Sequence, residues 1–144
     1  MSQIYDDNNI FSKILRGEIP CHRVYEDEMT LAFMDIMPDT RGHVLVIPKC
    51  KAVNLADLPL DYGAAVLATA QKVMKAQQKV LGVEGSVALQ LNGSSIGQSV
   101  FHYHLHLIPT NLYNISRDPA PNKMANHDEL AALAKELAHQ IHAK

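Results

Sequence analysis

From Phe101 to Leu107 the chain reads Phe-His-Tyr-His-Leu-His-Leu, alternating polar and apolar side chains, before Ile108 and Pro109. A period of two belongs to an extended strand, whose successive side chains leave opposite faces. A helix would scatter the same residues around its circumference. The spacing predicts a strand over 100–108, stopped by Pro109. His102, His104 and His106 then share one face, and Tyr103, Leu105 and Leu107 enter a core. Any fold for this chain has to bring three imidazoles together on one side of a sheet.

The remaining patterning supplies that sheet. A short helix is expected from Asn9, with Ile10, Phe11, Ile14 and Leu15 as its apolar face and Gly17 at its end. His22 to Glu26 and Thr30 to Asp35 read as a hairpin around Asp27 and Glu28. His43 to Pro48 reads as a third strand. A long helix runs from about Pro59 to Leu81, with Val66, Val73, Met74, Val80 and Leu81 on its buried face and Gly82 ending it. Ser86 to Asn92 alternates into a further strand. Proline, asparagine and aspartate gather between Pro109 and Asn126, which predicts a long loop over 110–126. Leu130, Leu133, Leu137 and Ile141 then recur at helical spacing, with Asn126 and Glu129 as a capping pair. The fold class is α+β: about five mainly antiparallel strands, helices packed on one side, and a single domain over 1–144 with its core at about 10–109.

Bulk properties exclude several classes. A chain of 144 residues supports one sizeable core. Apolar residues make up 47%, the profile of a globular protein. A formal net charge of -2 argues against a broad nucleic-acid surface. No apolar run is long enough for a bilayer. The polar, acidic start does not read as a secretory signal, and Cys21 and Cys50 form neither a disulfide framework nor a C-x-x-C pair. A cytoplasmic location is expected.

Three readings of the histidines compete. Solvent-facing polarity explains one exposed histidine, not three in strict alternation. Metal binding suits imidazole, but the outer pair have backbones about 13 Å apart at ~3.3 Å per residue, so one ion would need strongly converging rings. No cysteine pair or carboxylate lies nearby in sequence. Nucleophilic attack at phosphorus suits a neutral imidazole whose other ring nitrogen is held as a donor. It also needs donors for the phosphoryl oxygens and a proton for the leaving group, which flanking histidines can supply. The turn Asn92-Gly93-Ser94-Ser95-Ile96-Gly97-Gln98-Ser99 enters the histidine strand directly. It can aim N–H groups and the Ser99 hydroxyl at an oxyanion.

At these residues the chain resembles the histidine-triad (HIT) family of nucleotide hydrolases and transferases, in particular its purine nucleoside phosphoramidase branch. The resemblance rests on His102-Tyr-His104-Leu-His106-Leu107-Ile108, preceded by Gly97-Gln98-Ser99-Val100. It extends to Asn9 through Ile14, Phe33 through Pro38 and Gly42 through Lys49, covering about Ile10 to Pro109. It implies that His104 is the nucleophile and forms a nucleotidyl-histidine. His106 and His102 would support the phosphate, the leaving group and a histidine network that His43 completes. Asn92, Gly97, Gln98 and Ser99 would form the phosphate region, and Asp35 would hold the ribose. Ile10, Phe11, Ile14, Phe33 and Ile36 would line the base pocket. A buried carboxylate such as Asp35 also needs a partner on physical grounds. Some bacterial relatives carry a C-x-x-C zinc site in the opening segment, whereas Asp7-Asn8-Asn9-Ile10 has no cysteine. Transferase relatives have glutamine for the third histidine, whereas His106 is retained, which favours hydrolysis.

The expectation is therefore a hydrolase of adenosine 5′-phosphoramidate type that requires no cofactor and takes a purine nucleotide. The family resemblance also implies a homodimer. Hydrolysis of dinucleotide polyphosphates is the alternative within the same class. A nucleotide-binding regulatory protein is the rival from another class, and a metal-binding module is a third. The segment from Asn92 to Ile108 contains no lysine or arginine to neutralise a polyphosphate, and Arg117 is the nearest candidate.

Overall fold

The structure is a computed structural model and describes residues 4–115 and 124–143. Arg117 and the centre of the expected 110–126 loop lie outside the described residues. Asn9 caps a first helix, α1 (Ile10–Leu15), by accepting the Ser12 N–H on its side chain. Gly17 follows at φ 78°, a left-handed conformation that costs glycine little. Strands β1 (Arg23–Glu26) and β2 (Thr30–Met34) form the expected hairpin. Asp27 braces its turn by accepting the N–H groups of Met29 and Thr30. β3 (Val44–Pro48), α2 (Leu60–Leu81), β4 (Val87–Leu89), β5 (Leu105–Ile108) and α3 (His127–His142) complete the chain. Gly82 ends α2, and Asn126 caps α3 through the N–H groups of Asp128 and Glu129. Among the described residues, no helix is long and apolar enough to cross a membrane. Cys21 and Cys50 are both free.

The strands make one antiparallel sheet in the order β1-β2-β3-β5-β4. Helices α2 and α3 cover one face. There Leu130, Leu133 and Leu137 join Val66 and Val73 over Ala32, Met34, Val44, Val46 and Leu107. Helix α1 lies on the other face, with Phe11 over Leu31, Phe33, Leu45 and Ile47. The expectation of helices on a single side is corrected accordingly. β2 and β3 are buried at every position, so both of their faces are apolar and both need a cover.

The strands around the histidines are shorter than expected. Ladder pairing begins at Leu105 and not at Val100. Before it, the Tyr103 N–H turns away to the Ala52 carbonyl at 2.8 Å. β4 spans only 87–89, because Gln90 folds its side chain back onto the Leu91 carbonyl and the Asn92 side chain. The side-chain alternation survives the loss of pairing, and Tyr103, Leu105 and Leu107 enter the core together.

Strand parity then places the polar groups. On the α1 face, β2 presents Leu31 and Phe33, and the next residue of that parity is Asp35. β3 presents Ile47 and Leu45, preceded by His43. Leu45 pairs with His106. The apolar α1 face thus ends in a corner built from Asp35, His43 and His106, and His104 and His102 continue the same parity beyond it.

Candidate active site

His104 is 7% exposed, and its Nδ1 lies 2.7 Å from the His102 carbonyl. A carbonyl only accepts, so Nδ1 carries the proton and Nε2 keeps its lone pair. The Phe11 and His104 rings pack edge to face, with centroids 4.9 Å apart. In His104, Nδ1 is the ring nitrogen that is held, and Nε2 is the one left free of that bond.

His102 is fully buried. Its Nε2 donates to the Pro48 carbonyl at 2.9 Å, and its Nδ1 accepts the Tyr5 hydroxyl at 2.6 Å. Both ring nitrogens are engaged, and the residue lies outside the lining of the central cavity. Its contribution to that cavity is the carbonyl that orients His104.

A second chain of bonds runs through His43 and His106. The Asp39 N–H donates to His43 Nδ1 at 3.1 Å. The His43 proton is therefore on Nε2, which lies 3.0 Å from His106 Nδ1. His106 accepts there and carries its own proton on Nε2. The Asp35 carboxylate approaches His43 Nε2 at 3.5 Å and accepts the Met37 N–H at 2.8 Å.

Burial sets the charge state of all four imidazoles. It lowers His102 and His43 to about 4 and His106 to about 3, and also depresses His104. At His106 the neighbouring His104 and His43 add to the depression more than Asp35 and Asp39 oppose it, whereas at His43 the opposing Asp39 outweighs His104, and at His102 the Pro48 carbonyl outweighs His104. Desolvation raises Asp35 above the ordinary carboxylate range, against the Met37 N–H and the charges of His106 and His104. The imidazoles are thus neutral at neutral pH. Asp35, His43 and His106 also offer three donor atoms within 4.8 Å of one another, so these residues could hold a metal ion. An ion there would have to displace the proton His43 shares with His106.

The cavity in front of His104 and His106 measures about 350 Å³, within the range of small-molecule sites. Ile10, Phe11, Ile14, Phe33, Asp35, Ile36 and Ser99 line it together with His104 and His106. Nine of the residues singled out from sequence therefore meet at one wall-lined space. A larger cavity of about 490 Å³ lies on the Tyr5 side of His102 and contains none of the other three histidines.

Besides His102, four of the sequence candidates sit elsewhere. His43 is behind His106. Gln98 is 4% exposed and spends its amide on the Val53 and Val100 carbonyls and the Gly93 N–H. Asn92 accepts the Leu55 N–H and the Gln90 side chain. Gly97, at φ 119°, closes a 3-10 turn by donating to Ser94. The N–H groups of Gly93, Ile96, Gly97 and Gln98 are all bonded within the turn. Those four N–H groups are thus not free for an oxyanion, a correction to the expectation for the turn, while Ser99 lines the cavity. Sequence reasoning missed Tyr5, Asp39, Pro20, Cys21, Met37 and Val100. Asp39 acts through its backbone, which no side-chain pattern reveals. Val100 shares parity with His102 and could have been read from the alternation.

With this geometry in view, the likeness to known proteins is informative. The HIT domain family model matches residues 16–112. Protein hit of Bacillus subtilis is 43% identical over 103 residues, 72% of this chain and 71% of its own length. Adenosine 5′-monophosphoramidase hnt1 of Schizosaccharomyces pombe is 37% identical over 133 residues, 92% of this chain and 97% of its own. Among solved structures, a Hit-like protein involved in cell-cycle regulation from Bartonella henselae superposes with a TM-score of 0.86. It is 39% identical, and the match covers 96% of this chain and 99% of that one. The chain belongs to the HIT family.

The depressed imidazoles predict an acid-sensitive fold. His43, His102 and His106 titrate lower folded than unfolded, so between about 6.5 and about 4 the unfolded chain binds more protons. Their stabilisation is whole above about 6.5 and drains as the pH falls toward those values. Asp35, shifted the other way, gives back part of the loss as it protonates. Differential scanning fluorimetry is expected to show the Tm falling by more than about 5 °C between pH 7.5 and pH 5. A flat or rising Tm over that interval contradicts the assignment.

Proposed function

We propose that this protein hydrolyses purine nucleoside 5′-phosphoramidates of the adenosine type at the α-phosphorus, through a nucleotidyl-histidine. The observation that carries the proposal is the hydrogen bond from His104 Nδ1 to the His102 carbonyl. It leaves Nε2 as the unprotonated nitrogen of a residue that lines the cavity. Binding alone would not require a nucleophile held this way, which favours an enzyme over a regulatory nucleotide-binding protein.

The reaction follows from the two hydrogen-bonded chains. The Nε2 lone pair of His104 forms a bond to phosphorus while the P–N bond to the leaving amine breaks. The amine departs with that electron pair and needs a proton, which His106 Nε2–H supplies once the bound phosphoryl anion has drawn a second proton from solvent onto the ring, so that neutral imidazole is left. The positive charge left on His104 is eased by its Nδ1–H bond to the His102 carbonyl. A water then attacks phosphorus and returns a proton to His106. The P–Nε2 bond breaks, and its electrons restore neutral His104. Ser99 supplies a donor to the phosphoryl oxygens. Phe11, Phe33, Ile10, Ile14 and Ile36 give the base an apolar slot, and Asp35 lies where ribose hydroxyls would be bonded. The S. pombe relative named as an adenosine 5′-monophosphoramidase supports the choice of substrate. So does the cavity wall, which carries no lysine or arginine among the described residues. A polyphosphate leaving group would gain most from such cations.

Two copies would pair through β4 and the outer face of α2. β4 is an edge strand, and Leu60 and Leu67 of α2 are 86% and 60% exposed.

Replacing His104 with glycine is expected to lower kcat by several powers of ten while nucleotide affinity stays within a few fold. Turnover of the unaltered protein is expected to persist after chelation. Near-normal kcat in H104G ends the proposal. In direct competition with magnesium present, an adenosine phosphoramidate is expected to be preferred over diadenosine polyphosphates. A kcat/KM at least about tenfold higher for the polyphosphates assigns the other branch. Light scattering at micromolar concentration is expected to give twice the chain mass, and a stable monomer refutes the pairing.

A further inference from the structure

Among the described residues, Gln77 is the largest fully buried polar side chain outside the histidine corner. It lies in the last turns of α2 and is 1% exposed, on the sheet face opposite the cavity. Its Nε2 donates to the carbonyl of Gly42 at 2.9 Å and to the carbonyl of Leu107 at 3.1 Å. Those two carbonyls belong to the residues that precede His43 and follow His106. Val44, next to His43, pairs with Leu107 across the sheet. One amide therefore ties the backbones of the two residues whose rings share the 3.0 Å bond from Nε2 to Nδ1.

The arrangement is one-sided in its chemistry. The Gln77 carbonyl oxygen is buried with no hydrogen-bond partner. Leaving a buried polar atom unpaired opposes folding. A methionine or leucine would fill the same space without that penalty, so packing alone does not account for the amide. The two-pronged donor is what an apolar side chain cannot supply. Gly42 adds a second contact at the same point. It sits at φ 93°, and a Cβ there would overlap the Leu81 side chain of α2. The end of α2 thus grips the entry to β3 by a close approach at Gly42 and by the Gln77 fork.

We propose that Gln77 is a positioning residue that sets the His43–His106 hydrogen bond from behind the sheet, and through it the direction of the His106 Nε2 proton. The inference rests on the role given to His106 in the reaction above. Gln77 touches neither the cavity nor the reacting atoms. The groups that face the His43–His106 pair are Asp35 from the end of β2, Asp39 from the following turn and His104 from the histidine segment. Without the fork, the two backbones separate and the ring-to-ring bond from His43 Nε2 to His106 Nδ1 lengthens.

The test compares the full-length protein with Gln77→Met and Gln77→Glu. Methionine keeps the volume and loses both donors. A buried glutamic acid facing two carbonyls stays protonated and donates one bond. Phosphoramidate kcat is expected to fall about tenfold or more in Q77M, with KM within about twofold, and to lie between Q77M and the unaltered protein in Q77E. Imidazole ¹⁵N spectra at neutral pH, without substrate, are expected to show weakened hydrogen-bond shifts at His43 Nε2 and His106 Nδ1 in Q77M. If Q77M does not fold, the same two readouts on Q77E decide. Unaltered kcat in the variants, or ring-nitrogen shifts that match the unaltered protein, overturns the inference and leaves Gln77 as a core tie only. If the unaltered protein turns over no phosphoramidate, the proposed reaction fails, and the ¹⁵N shifts still decide the positioning.

Discussion

The antiparallel pairing of β3 with β5 decides which face every functional side chain occupies. Leu45 opposite His106 puts both on the α1 side, and parity carries His43, His104 and His102 to the same side. A slip of one residue would send the imidazoles into the α2 and α3 core and expel Tyr103, Leu105 and Leu107. The apolar burial of those three residues therefore enforces the placement of the histidines between them. Core packing and site assembly are one constraint seen from two faces.

Around that register, direction is imposed by groups that can only accept or only donate. The Pro48 and His102 carbonyls force donors onto His102 Nε2 and His104 Nδ1. The Asp39 N–H forces an acceptor onto His43 Nδ1. Four imidazoles, each with two possible tautomers, are reduced to one pattern, with a lone pair at His104 and a proton at His106. Burial keeps the set neutral, which suits the nucleophile proposed at His104. The same desolvation makes protonation costly to the fold, so the neutral state and the expected acid sensitivity have one cause.

Much of the fold was legible because its signals are local. The start of α1 at Asn9, the Asn126 cap, the glycines after α1 and α2, and the Asp27 turn are short-range chemistry and appear where expected. What failed to read through was where pairing stops. Residues 100–104 keep the strand alternation yet leave the ladder, because Tyr103 finds the Ala52 carbonyl and His102 finds that of Pro48. Alternation on β5 by itself shows one polar face and one face in need of cover. The doubly buried β2 and β3 needed α1 on the polar side.

The sequence by itself determined the chemistry: three imidazoles at a period of two, a fourth after Gly42, and a carboxylate after an apolar strand. Residue type and parity are local properties and need no partner to be read. The tertiary structure decided which nitrogen of each ring is free. It set the short bond between His43 and His106 and turned Gln98 inward, so that its amide braces the turn. It also brought Tyr5 to His102 and Gln77 to the carbonyls flanking the pair. These depend on groups distant in sequence meeting at hydrogen-bond distance, and only the packed chain fixes such meetings.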